Sequence, residues 1–314
     1  MKKRALRHVF GPVPSRRLGR SLGIDVVPFK TCSYDCIYCQ LGRTTCKTVN
    51  LSEYVPVDDV LSEVDNRLAA GTVPDYITFS GSGEPTLHSK LGLLIDGIKR
   101  ITEIPVAVLT NGSLLWREEV REALSRADLV VPSLDAGNDR LFQYVNRPHP
   151  SLCFEQIVAG IQHFRVGFKN QLWLEVFLLG GVTTVTADLQ KIRNITEQIR
   201  PDRVQLNTVA RPPSEPYAHP VSLALLKSCV EFLGDRTEII TGDQAWTDAD
   251  RSPRADEIVE LLRRRPCTAD QIAHGIDAHL AEVVKRLELM LKTGRVSLRQ
   301  RKGRSFYTVT GNQQ

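Results

Sequence analysis

The segment FKTCSYDCIYC, residues 29–39, contains three of the seven cysteines in this 314-residue chain. Cys32, Cys36 and Cys39 are separated by three residues and then by two, and Tyr38 precedes the last of them. Thiolates hold iron-sulfur clusters, and three of them leave one iron of a four-iron cluster without a protein ligand. The spacing therefore predicts a cluster with an open coordination site, where chemistry can take place.

A zinc site is the alternative interpretation of these cysteines. Structural zinc usually takes four ligands in a closed tetrahedron, and Cys46 is the nearest candidate for the fourth. Zinc knuckles, however, usually carry their cysteines as CxxC pairs. The remaining cysteines, Cys153, Cys229 and Cys267, lie far apart in the sequence, so we expect no second cluster.

The composition is typical of a globular protein with one large domain and one small domain. The chain is 42% hydrophobic and 25% charged, and its length allows two domains. The basic N-terminus is followed by no apolar run of signal-peptide length. No stretch approaches the roughly 20 apolar residues of a membrane span. We therefore expect a cytoplasmic protein with reduced cysteines and no membrane partner.

Six βα units are predicted between residues 21 and 241, because short β-branched runs alternate there with amphipathic helical patterns. Six units indicate a partial (β/α)6 barrel of the TIM-like kind, since eight close a full barrel. A doubly wound open sheet is the alternative, and in both folds ligands bind at the carboxyl ends of the strands. The predicted strands are residues 21–27, 76–80, 105–110, 129–134, 172–179 and 203–208, and the predicted helices lie near 57–68, 88–100, 116–126, 152–164, 187–199 and 221–233.

The pattern changes after a polar segment over residues 242–254, which is typical of a linker. Helical patterns follow over about 255–264, after a cap at Thr268, and over about 277–293, and two short strand patterns follow at 295–299 and 305–309.

We therefore predict a barrel domain over residues 1–241 and a small domain over residues 255–314. Three helices and a hairpin in that order resemble a winged helix-turn-helix. Residues 251–314 hold 13 Lys or Arg and 7 Asp or Glu, so the basic charge is concentrated in this tail.

Small residues and a carboxylate follow the second predicted strand, in the loop formed by Gly81, Ser82, Gly83 and Glu84. The two glycines allow the backbone to approach a ligand closely, and Glu84 offers an acceptor for an ammonium group. A Gly-Ser-Gly turn alone is more often an ordinary βα loop. Its position about 40 residues after the cysteines, with Pro85 attached, favours a binding role.

Polar side chains also mark the ends of the later strands: Asn111, then Ser133 and Asp135, then Asn207. Each of them is also explained by turn chemistry, which favours Asn-Gly and Asp. Glu175 lies within the otherwise apolar fifth strand, where a charge needs a partner if it is buried. We expect it either to point into the barrel towards a ligand or to pair with an arginine.

Residues 11–20 bring three arginines into a segment rich in Gly and Pro. Guanidinium groups suit carboxylate and phosphate, so Arg16 and Arg17 are candidate ligands of a substrate. The alternative is a surface loop that caps the barrel floor with solvated charges.

The CxxxCxxC pattern with Tyr38, the loop at residues 81–85 and the βα series together resemble the radical S-adenosylmethionine (SAM) superfamily. The resemblance implies a [4Fe-4S] cluster whose open iron chelates the amino and carboxylate groups of SAM. An electron, from a donor such as flavodoxin or ferredoxin, then cleaves SAM to a 5'-deoxyadenosyl radical. Ser82 stands where the GGEP motif of that superfamily has its first glycine.

The same resemblance assigns roles to the strand ends. The loop at residues 81–84 runs along the methionyl amino group, and Asn111, Ser133 and Asp135 contact the ribose hydroxyls and the carboxylate of SAM. Val182, after the fifth strand, packs on adenine.

Within the superfamily, the chain is most similar to an iron-sulfur oxidoreductase group related to the wyosine synthases. Wyosine synthases condense a methylated tRNA guanine with pyruvate and typically carry further N-terminal cysteines for a second cluster. No cysteine precedes Cys32 in this sequence. The resemblance therefore implies radical chemistry without identifying the substrate.

Two classes of function follow. In the first, the protein is an enzyme whose radical abstracts hydrogen from an RNA base, a peptide or a small molecule. In the second, it is a nucleic-acid-binding redox sensor whose basic tail contacts phosphates. A sensor needs a cluster but no loop for a methionyl ammonium group, so we favour the enzyme.

Overall fold

The structure is a computed structural model that describes residues 8–211, 213–240, 254–276, 278, 280–301 and 304–310. The predicted linker falls outside these ranges except at Arg254. None of the described helices is both long enough and apolar enough to cross a membrane.

The larger part of the described chain is built around one eight-stranded sheet. Its strands are β1 (Val9–Ser15), β2 (Gly19–Ile24), β5 (Tyr76–Phe79), β6 (Val106–Thr110), β7 (Leu129–Pro132), β8 (Gln171–Leu178), β9 (Arg203–Thr208) and β10 (Thr237–Ile239), while β3 (Thr31–Cys32) and β4 (Cys46–Lys47) form a separate pair.

Strand order in the large sheet follows chain order from β1 to β10. All neighbours from β2 onward are parallel, and β1 is antiparallel to β2. A doubly wound sheet instead reverses its strand order at a switch point. The partial TIM-like barrel predicted from the sequence is therefore confirmed.

Helices follow the parallel strands and cover the sheet. In α2, Leu91, Leu94, Ile95 and Ile98 are buried at the spacing of a single helix face. Each such side chain contributes about 1.5–3 kcal/mol when it is removed from water. The helices of this part are α1 (Val57–Ala69), α2 (Leu91–Ile101), α3 (Glu118–Leu124), α4 (Asp139–Asn146), α5 (Phe154–Gly167), α6 (Thr186–Ile199) and α7 (Leu223–Leu233), and a 3-10 turn spans Pro85–Leu87.

The alternative of a surface loop over residues 11–20 is wrong for most of that segment, because Val9–Ser15 is strand β1 and β2 begins at Gly19. Pro12 and Pro14 obscured the strand pattern in the sequence. Proline lacks an N–H for the ladder and is tolerated mainly on edge strands, and β1 lies at the edge of the sheet. The sequence pattern also missed β10 and α4.

The C-terminal elements agree with the prediction of three helices and a hairpin. Together we call them the C-terminal module. They are α8 (Ala255–Arg264), α9 (Ala269–Gly275), α10 (Leu280–Lys292), β11 (Val296–Arg301) and β12 (Arg304–Val309).

The C-terminal module packs against the barrel rather than standing apart from it. Phe10 and Val13 of β1 lie in the same buried apolar cluster as Ile258, Leu262 and Leu287 of the module. Strand β1 therefore connects the two cores.

Candidate active site

Cys32 ends the short strand β3, and Cys36 and Cys39 lie in the loop that follows it, beyond the carboxyl end of β2. Each thiol has an N–H donor within reach, and such donors stabilise negative charge on sulfur. The pairs are Lys30 Nζ with Cys39 Sγ at 3.2 Å, Asn111 Nδ2 with Cys32 Sγ at 3.6 Å, and Asn146 Nδ2 with Cys36 Sγ at 3.4 Å.

Burial disfavours the thiolate form of Cys32 and Cys36 when no cation is nearby. Desolvation, together with the nearby Glu84, raises the pKa of Cys32 to about 12. Desolvation also raises the pKa of Cys36 well above its ordinary value. A metal ligand must be deprotonated, and a bound metal supplies the compensating charge. The N–H donors and the buried thiols therefore fit an iron-sulfur cluster.

Cys46, the proposed fourth zinc ligand, lies on β4 and is exposed, whereas Cys32, Cys36 and Cys39 are partly buried. Within the described ranges, no three His, Cys, Asp or Glu side chains gather closely enough to hold a single metal ion.

Two backbone hydrogen bonds join the residues just before Cys32 to the loop at residues 81–84. The amide of Lys30 donates to Ser82 O at 2.7 Å, and the amide of Glu84 donates to Thr31 O at 3.1 Å. A Cβ added at Gly83 would lie 1.9 Å from Thr31 O, so only glycine fits there. Gly83 therefore permits the approach of two protein loops.

Glu84 is buried, and four donors hold its carboxylate. Oε1 accepts from Thr86 N at 3.0 Å, Thr86 Oγ1 at 2.6 Å and Thr110 Oγ1 at 2.6 Å, and Oε2 accepts from Asn111 N at 2.7 Å. Burial raises the pKa of Glu84, and these hydrogen bonds act in the opposite direction. The carboxylate thus fixes the loop to the carboxyl end of β6.

Tyr38 is held from two sides. Its ring stacks on Phe177, with the ring centroids 3.8 Å apart, and its hydroxyl donates to Asp135 Oδ2. Asp135 also accepts from Asn146 Nδ2 at 2.7 Å and from Phe177 N at 3.1 Å. Burial raises the pKa of Asp135 to about 6. Both carboxylate oxygens of Asp135 therefore hold neighbouring groups in place: Oδ2 accepts from Tyr38 and Asn146, and Oδ1 accepts from the backbone of β8.

A cavity of about 390 Å³ opens beside the cysteines. Every cluster, cofactor and substrate residue predicted from the sequence lines this cavity, except Asp135 and Val182. Asp135 lies behind Tyr38, and Val182 packs beside the apolar cluster that contains Ile37 and Phe177. The strand ends therefore bring most of the predicted site together.

Glu175 pairs with an arginine, as one of the two alternatives predicts, and it also lies on the cavity wall. Its carboxylate forms an ion pair with Arg17, whose side chain is only 10% exposed, and Asn207 Nδ2 lies 3.4 Å from Glu175 Oε1. All three residues line the cavity. The pair is therefore part of the wall rather than a remote structural contact.

Sequence patterns missed several residues of the site. Lys30, two positions before the first cysteine, was close enough to be suspected, but Asn146 ends the unpredicted helix α4. Arg211, Arg264 and Arg265 also line the cavity. Arg264 and Arg265 come from the C-terminal module, and no local sequence motif predicts that they reach the cavity.

The family model of the radical SAM superfamily matches residues 26–192. This range covers more than half of the chain and contains the three cysteines and the loop at residues 81–84.

Several curated proteins are similar to the chain. A protein named GTPase Obg from Brachyspira hyodysenteriae is 41% identical over 295 residues, which cover 92% of this chain and 43% of that protein. The chain thus spans less than half of that relative's length. A UPF0026 protein from Helicobacter pylori strain J99 is 34% identical, with 98% of this chain and 99% of that protein covered. A UPF0026 protein from Methanocaldococcus jannaschii is 39% identical, with 72% and 71% covered.

Solved structures share the fold. TYW1 with a bound lysine-pyruvate adduct matches with a TM-score of 0.52 at 16% identity, covering 71% of this chain and 75% of that one. SuiB of Streptococcus suis bound to its precursor peptide SuiA matches with a TM-score of 0.53 at 14% identity, covering 69% and 48%. At such identities the likeness concerns the fold alone. From the family match and the cysteine site together, the chain belongs to the radical SAM superfamily, a class of enzymes that implies SAM and an iron-sulfur cluster as cofactors.

Proposed function

We propose that this enzyme holds a [4Fe-4S] cluster on Cys32, Cys36 and Cys39 and uses SAM to abstract hydrogen from an organic substrate. One observation carries the proposal: three partly buried thiols, each with an N–H donor, share a cavity with the loop at residues 81–84. When bound, the cluster supplies the electron that cleaves SAM to a 5'-deoxyadenosyl radical.

The chain's own residues would position SAM and exclude water. Asn111 and Ser133 offer an amide and a hydroxyl on the cavity wall, suited to the ribose hydroxyls and the carboxylate. Asp135 acts indirectly, because both of its oxygens already accept hydrogen bonds around Tyr38. Val182, by its resemblance to the family position, packs near adenine.

The substrate, we propose, carries an anionic group such as a phosphate. Lys30 and arginines from three parts of the chain line the cavity. The carboxylates among the lining residues are those of Glu84 and Glu175. Arg17 pairs with Glu175 and Arg264 pairs with Asp25, and by formal charge the cationic side chains that line the cavity outnumber its carboxylates. Guanidinium groups recognise phosphate and carboxylate in a bidentate manner. An RNA base within a nucleotide meets this requirement, whereas a neutral peptide does not.

Anaerobic reconstitution with iron, sulfide and dithionite tests the enzyme proposal. We expect a cluster whose electron paramagnetic resonance spectrum changes when SAM is added, with 5'-deoxyadenosine as a product. A reduced natural flavodoxin or ferredoxin should replace dithionite. A cluster that leaves SAM intact would instead favour the redox sensor, and no cluster at all would overturn the proposal.

A further inference from the structure

A buried carboxylate joins the barrel to the C-terminal module. Asp25 follows β2, is only 4% exposed, and forms an ion pair with Arg264, the last residue of α8. Burial raises the pKa of Asp25, and the charge of Arg264 acts in the opposite direction. A buried carboxylate requires such a partner.

The same guanidinium reaches the loop at residues 81–84. Arg264 Nη1 lies 3.4 Å from Ser82 Oγ, which also hydrogen-bonds Asp25. A Cβ added at Gly81 would lie 2.8 Å from Asp25 Cγ, and the φ of Gly81 is +137°. The loop backbone thus rests directly on the carboxylate that Arg264 neutralises. Ser82, which stands in place of a glycine of the GGEP motif, supplies the side chain that contacts both Arg264 and Asp25.

Arg264 is itself held in place by packing. Its guanidinium stacks on the ring of Phe10, 4.9 Å from the ring centroid. Phe10 belongs to the apolar cluster that β1 shares with Ile258 and Leu261 of α8. Arg264 therefore contacts Asp25 and Ser82 from the interface between the module and the barrel.

We propose that Arg264 is a positioning residue: through Asp25 and Ser82 it fixes the loop at residues 81–84, so that the C-terminal module completes the SAM site. This rests on the proposed function, because it takes that loop to contact SAM. Without the guanidinium, Asp25 loses its cation and Ser82 loses a donor, and the loop is freed from the module.

The test compares Arg264→Gln with Arg263→Gln, which changes an exposed arginine on the same helix. Without SAM, hydrogen exchange of the peptide spanning residues 79–87 should accelerate only in the Arg264 variant. Calorimetry of the reconstituted proteins should show SAM binding weakened by about tenfold or more, with unchanged iron content. Wild-type exchange and wild-type SAM affinity in Arg264→Gln would overturn the inference.

A second variant keeps the test informative if Arg264→Gln alone does not fold. Combining Asp25→Asn with Arg264→Gln removes both buried charges, and the loop still loses its link to the module. This protein should fold and still bind SAM more weakly than wild type, and wild-type affinity would again overturn the inference. Failure of the proposed function would be seen separately, in wild-type protein that neither binds nor cleaves SAM.

Discussion

The backbone N–H of Asn111 donates to Glu84 Oε2 at 2.7 Å, so the carboxylate of the glycine-rich loop is held by the end of the next strand. Thr110 and Thr86 occupy the other oxygen. The glutamate predicted as an acceptor for an ammonium group thus holds together the loop that is proposed to bind SAM.

Glu84→Gln should destabilise the protein, because one oxygen becomes an NH2 group that faces donors. A buried donor left without an acceptor costs about 1–3 kcal/mol. Urea denaturation should show a loss of this size in the free energy of unfolding. Glu103→Gln, at an exposed position, is the matched control and should leave that free energy unchanged. Equal stabilities of the two variants would contradict the role of Glu84.

The sequence predicted most of the barrel because its parallel strands are buried on both faces and read as apolar β-branched runs. It also predicted most of the cavity wall, since the carboxyl ends of parallel strands meet on one rim. Cys32, Glu84 and Asn111 follow three such strands, so their proximity required no knowledge of distant contacts.

Other features depend on packing between distant segments. Phe10 lies beside Pro12 in a segment without strand periodicity, and only its pairing with β2 at the sheet edge defines β1. Arg264 is one arginine among three consecutive ones at the end of α8. Its orientation towards Asp25, 239 residues earlier, follows from how the module docks. Local patterns carry no signal for such pairs.

Substituting single cysteines separates a cluster from a zinc site. Cys36→Ala should lose the bound iron and sulfide, because three thiolates are the minimum set for the proposed cluster. Cys46→Ala should retain both, since Cys46 is exposed and is not part of that set. Iron, sulfide and zinc analysis of anaerobically purified protein checks this. Loss of one zinc per chain in both variants would favour the zinc alternative.

A double-mutant cycle on Arg17 and Glu175 separates structural from substrate roles. Arg17→Met alone should destabilise the protein by a few kcal/mol, because Glu175 would remain a partly buried charge without its cation. Adding Glu175→Gln should restore most of the free energy of unfolding.

Once the native substrate is known, its turnover by the double variant gives the second measurement. Restored stability without turnover would show that the pair contacts substrate. Restored turnover together with stability would instead assign the pair a purely structural role.

His88 should make stability depend on pH. Its Nε2 lies 2.9 Å from Val55 O, and its Nδ1 accepts from Lys90 N at 3.2 Å, which requires a neutral ring. Burial lowers the pKa of His88 below its ordinary 6.5. The unfolded chain then binds more protons than the folded one in mildly acidic solution, so stability falls as the pH drops below that value.

Urea denaturation between about pH 8 and about pH 5 measures this loss. His88→Gln should flatten the dependence, while His163→Gln, at an exposed position, should keep it. Identical pH profiles for wild type and His88→Gln would remove His88 as the cause.

The basic hairpin offers the sharpest test of nucleic-acid recognition. Deleting the whole C-terminal module would expose Phe10 and Val13 of β1, so a failure to bind RNA after deletion would have two explanations. Charge reversal avoids this, because Arg299 and Arg304 lie on β11 and β12 with exposed side chains. If they bind phosphates, reversing both should weaken RNA binding. The slope of log affinity against log salt should also fall by about 1 for each phosphate that is no longer bound.

Lys169→Glu is the matched control, since it reverses an exposed charge on the barrel. Filter binding of total tRNA at several salt concentrations supplies the measurement. An unchanged salt slope in the hairpin variant would show that these arginines are solvated and bind no phosphate. The cationic wall of the cavity would then be the remaining candidate for recognition of an anionic substrate, because it lies at the cysteines rather than on the hairpin.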